Sequence, residues 1–173
     1  MLLALAGCSA PGVQSDWERA NRKAEPVEEQ PTPPAYPTAA NLLEFGVLEA
    51  GGFRFFVDSA TLGVGKDGVV RYALVARSPD GVQNVTYEGL RCATAEYRVY
   101  AYGRADGSWS ASGSGWRPLE GSSAQRWRTT LYREYFCPQK EPIRDAAEGV
   151  RALEQGGHPF AKGFAAPGGV IPR

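Results

Sequence analysis

The chain lacks a long apolar run, an excess of basic charge and more than a single histidine. A membrane-spanning helix needs about 18 or more consecutive apolar residues, and no stretch of the 173-residue sequence provides them. The 19 basic and 19 acidic residues balance, with no basic stripe among them. A nucleic-acid partner requires clustered Lys and Arg to neutralise its phosphates. The sequence therefore disfavours both a membrane-spanning protein and a nucleic-acid-binding protein.

Residues for metal binding and for nucleophilic catalysis are also scarce. The three cysteines and one histidine lack the paired spacing of a structural zinc site. No G-x-S-x-G elbow is present. The single candidate base, His158, lies in a Gly-rich stretch that we expect to be solvent-exposed, whereas a triad needs its base within about 3 Å of the hydroxyl. We predict no metal ion and no cofactor, and we interpret the chain as non-enzymatic.

The sequence begins MLLALAGC, an apolar stretch that ends in small residues, as the end of a secretory signal does. Leu-Ala-Gly-Cys, ending at Cys8, resembles the lipobox of bacterial lipoproteins, in which the signal is cut before a cysteine that becomes acylated. This resemblance implies a lipid anchor at Cys8. It also implies that residues 1–7, which we interpret as a shortened signal peptide, are removed. Because Ser9 stands where lipoproteins retained in the inner membrane commonly carry Asp, it also implies an outer-membrane location facing the periplasm.

Composition divides the rest of the chain into four parts. Residues 8–40 carry the anchor and a tether in which EPVEEQPTPPAYPT holds five prolines in fourteen residues, a composition that stays extended rather than folding. Residues 41–140 form the predicted β-rich domain, residues 141–157 a C-terminal helix, and residues 158–173 a loosely ordered tail.

Strand and hairpin signals dominate the predicted domain. FRFFVD is β-prone, and VVRYALVAR alternates between apolar and arginine-bearing faces. Asp-Gly pairs at residues 67–68, 80–81 and 106–107 indicate hairpin turns, which need positive φ. Their spacing predicts strands at about 69–77, 82–90, 95–103 and 108–113, an antiparallel meander.

Two helices are predicted after Pro118. SSAQRWRTTLYREYFC spaces Trp127, Leu131 and Tyr135 four apart, as on one stripe of a helix with Ser122 or Ser123 as its cap; the same residues also permit a strand, and we favour the helix. A second helix is expected over about 143–155, where Gly156-Gly157 ends it.

Cys92 and Cys137 remain once Cys8 is assigned to lipid. Disulfides form and persist in the compartments that exported chains enter, so we predict a Cys92–Cys137 bridge. Two separate buried thiols are the alternative.

Three carboxylates are candidates for catalysis. Glu88, Asp58 and Glu96 lie on or beside predicted strands, and two facing acids can divide the acid and nucleophile roles of a glycosidase. The alternative is that Glu88 pairs with an arginine such as Arg91 or Arg71.

A candidate binding strip lies on the strand EYRVYAYG. Alternation places Tyr100 and Tyr102 opposite Tyr97 and Val99, so burial of the latter pair would expose an aromatic–arginine strip. Tyr and Arg are frequent anchors of protein interfaces. The strip consists of Arg98, Tyr100, Tyr102 and Arg104; packing of these rings into the core is the alternative.

Several motifs together are similar to one known family. The strings DGVVRYALVARSPDGVQNVTYEGLRC, EYRVYAYG and YFCP resemble the cryptic neisserial protein-like family of bacterial envelope lipoproteins over roughly residues 44–140. The resemblance implies an envelope location, the cysteine pairing and a single domain. It implies no activity, cofactor or catalytic residue.

We therefore predict an α+β domain: one antiparallel sheet of about five or six strands with C-terminal helices on one face, locked by a disulfide. The predicted function is that of a lipid-anchored envelope module that binds an envelope protein or peptidoglycan. A glycan-active enzyme with paired carboxylates and a structural spacer are the alternatives.

Overall fold

The computed structural model describes residues 28, 31–48, 51–119 and 125–161. In this part of the chain eight antiparallel strands form one open sheet in the order β1-β2-β4-β5-β6-β7, with β3 paired to β4 and β8 paired to β6. The sheet has more strands than the five or six predicted, because the two-residue strands β3 and β8 were not foreseen. The strands are β1 Leu42–Phe45, β2 Arg54–Asp58, β3 Gly63–Val64, β4 Val69–Arg77, β5 Gln83–Arg91, β6 Glu96–Gly103, β7 Trp109–Ala111 and β8 Arg117–Pro118.

The meander predicted from the Asp-Gly pairs is confirmed. β4, β5, β6 and β7 follow one another as antiparallel neighbours, and Gly68, Gly81 and Gly107 all have positive φ. Among the described residues the aspartates that precede these glycines do not have positive φ. The turns therefore depend on glycine alone, which adopts this backbone conformation without a Cβ clash.

The two faces of the sheet bury different side chains. Val70, Tyr72 and Leu74 of β4 point to the face that packs on the helices, here called the helix face. Val75, with Phe56 and Val85, points to the opposite face. We call this second face the N-terminal face, because Tyr36 from the N-terminal segment packs on it. The alternation predicted for β4 is thus confirmed, and both of its faces are buried.

A β-bulge at Tyr100 reverses the alternation of β6. Val99 and Ala101 pair with successive residues of β5, so Tyr100 has no partner across this ladder. An inserted residue moves every later side chain to the other face. Ala101 therefore joins the N-terminal face, and Tyr102 turns to the helix face.

The helix favoured after Pro118 is confirmed. Helix α1 spans Arg126–Thr130 and continues as a π-helical segment over Leu131–Phe136. The proposed caps Ser122 and Ser123 lie outside the described residues. The Cys92–Cys137 disulfide joins the end of this segment to the residue that follows β5, which confirms the predicted pair.

Helix α2 spans Ala146–Glu154 and is capped at both ends. Asp145 accepts a hydrogen bond from the backbone N–H of Glu148 (2.8 Å), as an N-cap does. At the other end, Gly156 has positive φ, and the N–H of Gly157 donates to the carbonyl of Ala152 (2.8 Å). The expected glycine stop is therefore present.

Two predictions about the ends of the domain were wrong. His158 was expected to be exposed but is only 3% exposed. Its ring packs beside Glu148 of α2, and its backbone N–H donates to the carbonyl of Glu134. Residues 31–37, assigned to the tether, are partly in contact with the sheet: Tyr36 packs on Trp109. Residues 1–27, which include the predicted lipid-anchor residue Cys8, lie outside the described residues.

Among the described helices, none is long and apolar enough to cross a bilayer.

Candidate functional site

A cleft of about 310 Å³ opens on the helix face, where side chains of β2, β4 and β5 meet those of α1. A volume of this size is at the lower end of the range for small-molecule sites. Apolar side chains form most of the wall, and a few polar groups lie at one side. We call it the helix-face cleft; its lining residues are Val47, Phe53, Phe55, Leu74, Ala76, Asn84, Thr86, Glu88, Arg126, Trp127 and Arg128.

A stack of three aromatic rings forms the apolar wall. The ring of Phe55 lies nearly parallel to that of Trp127, with centroids 5.2 Å apart, and stacks on Phe53 at 6.3 Å. Phe53 remains 38% exposed although it is a large apolar side chain. The three rings give the cleft an apolar wall, which suits an aromatic or aliphatic group.

An ion pair closes the polar side of the cleft. Arg128 Nε donates to Glu88 Oε2 (2.8 Å) and Nη2 donates to Oε1 (2.7 Å). The Thr86 hydroxyl donates to the same Oε1 at 2.7 Å. Glu88 is fully buried, and only 11% of the Arg128 side chain is exposed. Both carboxylate oxygens of Glu88 are therefore engaged, in the two-point geometry typical of strong arginine–carboxylate pairs.

The surroundings of this pair are also buried. Burial would lower the pKa of Arg128, but the charge and hydrogen bonds of Glu88 raise that pKa above its ordinary value. Burial, and then the negative charge of Glu88, raise the pKa of Tyr72 well above its ordinary value. The guanidinium of Arg128 also lies over the rings of Tyr97 (4.3 Å) and Trp127 (4.8 Å). Arg128 is therefore fixed by charge and by ring contacts together.

One buried donor of the cleft wall has no hydrogen-bond partner among the described residues: the indole Nε1 of Trp127. An unpaired buried donor is costly, about 1–3 kcal/mol.

The three carboxylates predicted for catalysis do not share a cleft. Glu88 points to the helix face, opposite Tyr72. Asp58 pairs with Leu42 at the end of β2 on the N-terminal face, where its Oδ1 accepts from the N–H of Ala60 (3.0 Å), and burial raises its pKa. Glu96, at the start of β6, contacts an arginine and a threonine; these are Arg91 (3.4 Å) and Thr94 (2.6 Å).

The alternative predicted for Glu88, a pair with an arginine, is present, but the partner is Arg128 of α1 and not Arg91 or Arg71. Both of those arginines pair instead with acids near in sequence: Arg91 with Glu96 and Arg71 with Asp67.

The predicted binding strip is divided by the bulge at Tyr100. Arg98 and Tyr100 lie on the N-terminal face, where Tyr100 is only 8% exposed. Tyr102, turned to the other face, is 49% exposed, and Arg104 Nη2 donates to the hydroxyl of Ser110 (3.2 Å). The four side chains therefore do not form one continuous exposed surface.

A glutamate from the N-terminal segment occupies the first half of the strip. Arg98 Nη1 donates to Glu28 Oε1 (2.7 Å), and the Tyr100 hydroxyl lies 3.4 Å from the same oxygen. Trp116 Nε1 donates to Glu28 Oε2 (3.1 Å). Burial raises the pKa of Tyr100 to about 12; the charge of Glu28 acts in the same direction and that of Arg71 opposes it. Tyr100 is therefore a neutral donor at ordinary pH.

The structure holds no cluster of three or more His, Cys, Asp or Glu side chains suited to a metal ion within the residues it describes.

The residues of the cleft and of the Glu28 contacts lie in a part of the chain that matches a known protein family. A family model, the CNP1-like family, matches residues 21–154. The chain belongs to the CNP1-like family. The resemblance inferred from the strand motifs is thereby confirmed, and the match extends it in both directions. No curated protein and no solved structure matches the chain.

In this CNP1-like chain, Glu28, the helix-face cleft and the disulfide all lie within the matched residues. Sequence reasoning missed the cleft. The alternation of FRFFVD would have placed Phe53 and Phe55 on one face, but no local pattern indicates that Trp127 stacks there, because the stack joins residues 72 positions apart.

Proposed function

We propose that this CNP1-like protein is a lipid-anchored binding module of the outer membrane that faces the periplasm and holds a small apolar ligand in the helix-face cleft. The cleft carries the proposal: it combines an aromatic wall, a polar side and a volume of about 310 Å³. An apolar pocket with a few convergent polar groups is the usual form of a small-molecule site.

The proposed ligand is an apolar molecule with a polar group at one end. The stacked rings of Phe53, Phe55 and Trp127 suit the apolar part. Asn84 and Thr86 of the lining suit the polar end, since a few polar groups orient a ligand in such a pocket.

The anchor is proposed from the N-terminal sequence. Leu-Ala-Gly-Cys at residues 5–8 supports acylation of Cys8, and the proline-rich stretch after it supports a spacer between membrane and domain. Mass spectrometry of the protein purified from membranes of its host should show an acylated N-terminal Cys8. An unmodified Cys8 would remove this part of the proposal and leave the cleft unaffected.

Binding at the cleft can be tested with 1-anilinonaphthalene-8-sulfonate, which joins fused rings to an anion. We expect the full chain to bind this probe and Ala76→Leu to weaken binding at least tenfold, because the added methyl groups fill the cleft that Ala76 lines. Ala111→Leu, at an exposed position on β7, is the matched control and should bind as the original chain does. Equal binding by all three proteins would refute the cleft as the site.

A glycan-active enzyme gains no support from the carboxylates considered, since Glu88 faces away from Asp58 and Glu96. The same probe experiment tests whether the protein binds a ligand rather than serving only as a structural spacer.

A further inference from the structure

Four aromatic rings form a continuous row across the N-terminal face. Consecutive centroids are 6.4 Å apart between Trp116 and Tyr100, 5.7 Å between Tyr100 and Tyr87, and 6.3 Å between Tyr87 and Trp109. We call this row the aromatic ladder. Each tryptophan at its ends points its indole N–H at the N-terminal segment: Trp116 at Glu28 and Trp109 at the carbonyl of Pro34 (2.8 Å).

Residues 28 and 31–37 supply the groups that occupy the ladder. Glu28 binds at the Trp116 end. Tyr36 packs on Trp109 at the other end, with centroids 5.3 Å apart, and its hydroxyl donates to the carbonyl of Arg104 (3.1 Å). Gly103 leaves the space for this ring, since a Cβ there would come within 2.7 Å of the Tyr36 hydroxyl.

The segment is held by side chains rather than by strand pairing. Within residues 31–37 no strand is formed, and no backbone–backbone hydrogen bond joins these residues to the sheet in the described part of the chain. Thr32 and Ala35 are exposed, and the other five are half-buried. A segment attached in this way can leave without breaking a β-ladder, so its release costs only a few side-chain contacts.

The contacts have the chemistry of proline-rich peptide recognition. An indole N–H that binds a proline carbonyl, with rings that receive an extended chain, is how aromatic grooves hold polyproline segments. Proline carries no N–H and therefore needs no acceptor from the groove. Arg98 adds selectivity for an acidic residue, because it donates to a carboxylate at 2.7 Å.

We propose that the aromatic ladder is a peptide-binding groove for an acidic, proline-rich segment of another protein, and that the chain's own residues 28 and 31–37 occupy it as an intramolecular ligand. A tethered ligand competes at an effective concentration in the millimolar range. The partner therefore binds when its own contacts, or its local concentration, exceed those of the resident segment. This inference is independent of the helix-face cleft.

The test uses a fluorescent peptide with the sequence of residues 24–38 and full-length protein. A variant with Glu28→Gln and Tyr36→Ala loses the resident contacts but keeps the groove. We expect it to bind the peptide at least tenfold more tightly than the original chain, as measured by fluorescence anisotropy. Glu141→Gln, remote and exposed, is the control and should bind as the original does. A peptide carrying Glu28→Gln and Tyr36→Ala should bind neither protein.

Two outcomes would overturn the proposal. A folded double variant that fails to bind the peptide would show that the segment is fixed packing. Concentration-dependent dimerisation of the original chain that disappears in Tyr36→Ala would assign the groove to a second copy rather than to another protein.

If the double variant does not fold, a second measurement on the original chain tests the same proposal. A peptide with a photoreactive benzophenone in place of Tyr36, added in millimolar excess to the original chain, should crosslink near Trp109. An absence of crosslinks there would also overturn the proposal.

Discussion

Glu88 and Arg128 form a two-point ion pair inside the protein although 40 residues separate them in sequence. The pair joins the central strand β5 to helix α1 and adjoins the helix-face cleft. The pair matters for stability mainly because removal of either residue would leave the other as an unpaired buried charge.

Single substitutions of this pair should destabilise the fold strongly. Glu88→Leu or Arg128→Met leaves one buried charge without its partner, which costs roughly 3–5 kcal/mol. The double variant Glu88→Leu with Arg128→Met removes both charges, and we expect it to lose much less than the sum of the single losses. Urea denaturation of the four proteins measures the unfolding free energies. Additive losses would mean that the two residues do not interact.

The disulfide should be a second large source of stability. Cys92 and Cys137 are separated by 45 positions, and closing a loop of this size contributes roughly 4 kcal/mol in the chain-entropy model. We expect the Cys92→Ser, Cys137→Ser variant to lose about this much in denaturant melts. Cys8→Ser leaves the bridge intact and should melt as the original does. An unchanged midpoint in the double variant would contradict the expectation.

Gly89 should be intolerant of even a methyl group. A Cβ there would lie 2.8 Å from Cε2 of Tyr100 and 2.9 Å from Cγ1 of Val69. Overpacking of this kind costs about 1–3 kcal/mol, so Gly89→Ala should lower the unfolding free energy and displace Tyr100 from Glu28. Gly63→Ala, in strand β3 with open space around it, is the matched control and should be neutral or slightly stabilising.

Stability should fall in acid because of Glu148. Burial alone would raise the pKa of Glu148, but the backbone N–H and guanidinium of Arg144, together with His158, lower it from 4.5 to about 2. A lowered pKa stabilises the fold above the unfolded value, and this stabilisation is lost as the pH falls from about 4.5 towards 2.

Denaturation at several pH values between 2 and 6 tests this. Glu148→Gln should be less stable than the original chain at pH 6, and the difference should shrink as the pH falls. Glu154→Gln, exposed at the end of the same helix, should show no such trend. A constant difference across the range would mean that Glu148 does not titrate as described.

Several features were predictable because their causes lie within a few residues. The Asp-Gly pairs indicated turns, and the alternation of VVRYALVAR indicated a strand with two distinct faces. Trp127, Leu131 and Tyr135 indicated a helix over a segment that also permitted a strand. These predictions hold because glycine's backbone freedom and side-chain periodicity act locally.

The candidate sites were less accessible to such reasoning. The binding strip on β6 was predicted from strict alternation, which the bulge at Tyr100 breaks. The tether was predicted from its proline content, which indicates an extended chain but says nothing about whether that chain rests on a surface. Tyr36 and Pro34 contact Trp109, which lies more than 70 residues further along the sequence.

The sequence by itself determined the β-meander, the two helices, the cysteine pair and the membership in a family, since each follows from short patterns or from a motif string. Only the tertiary structure decided which side chains meet: Glu88 with Arg128, Phe55 with Trp127 and Glu28 with Arg98. Such pairs depend on how the helices and the N-terminal segment pack on the sheet, and packing is a property of the whole fold rather than of any window of sequence.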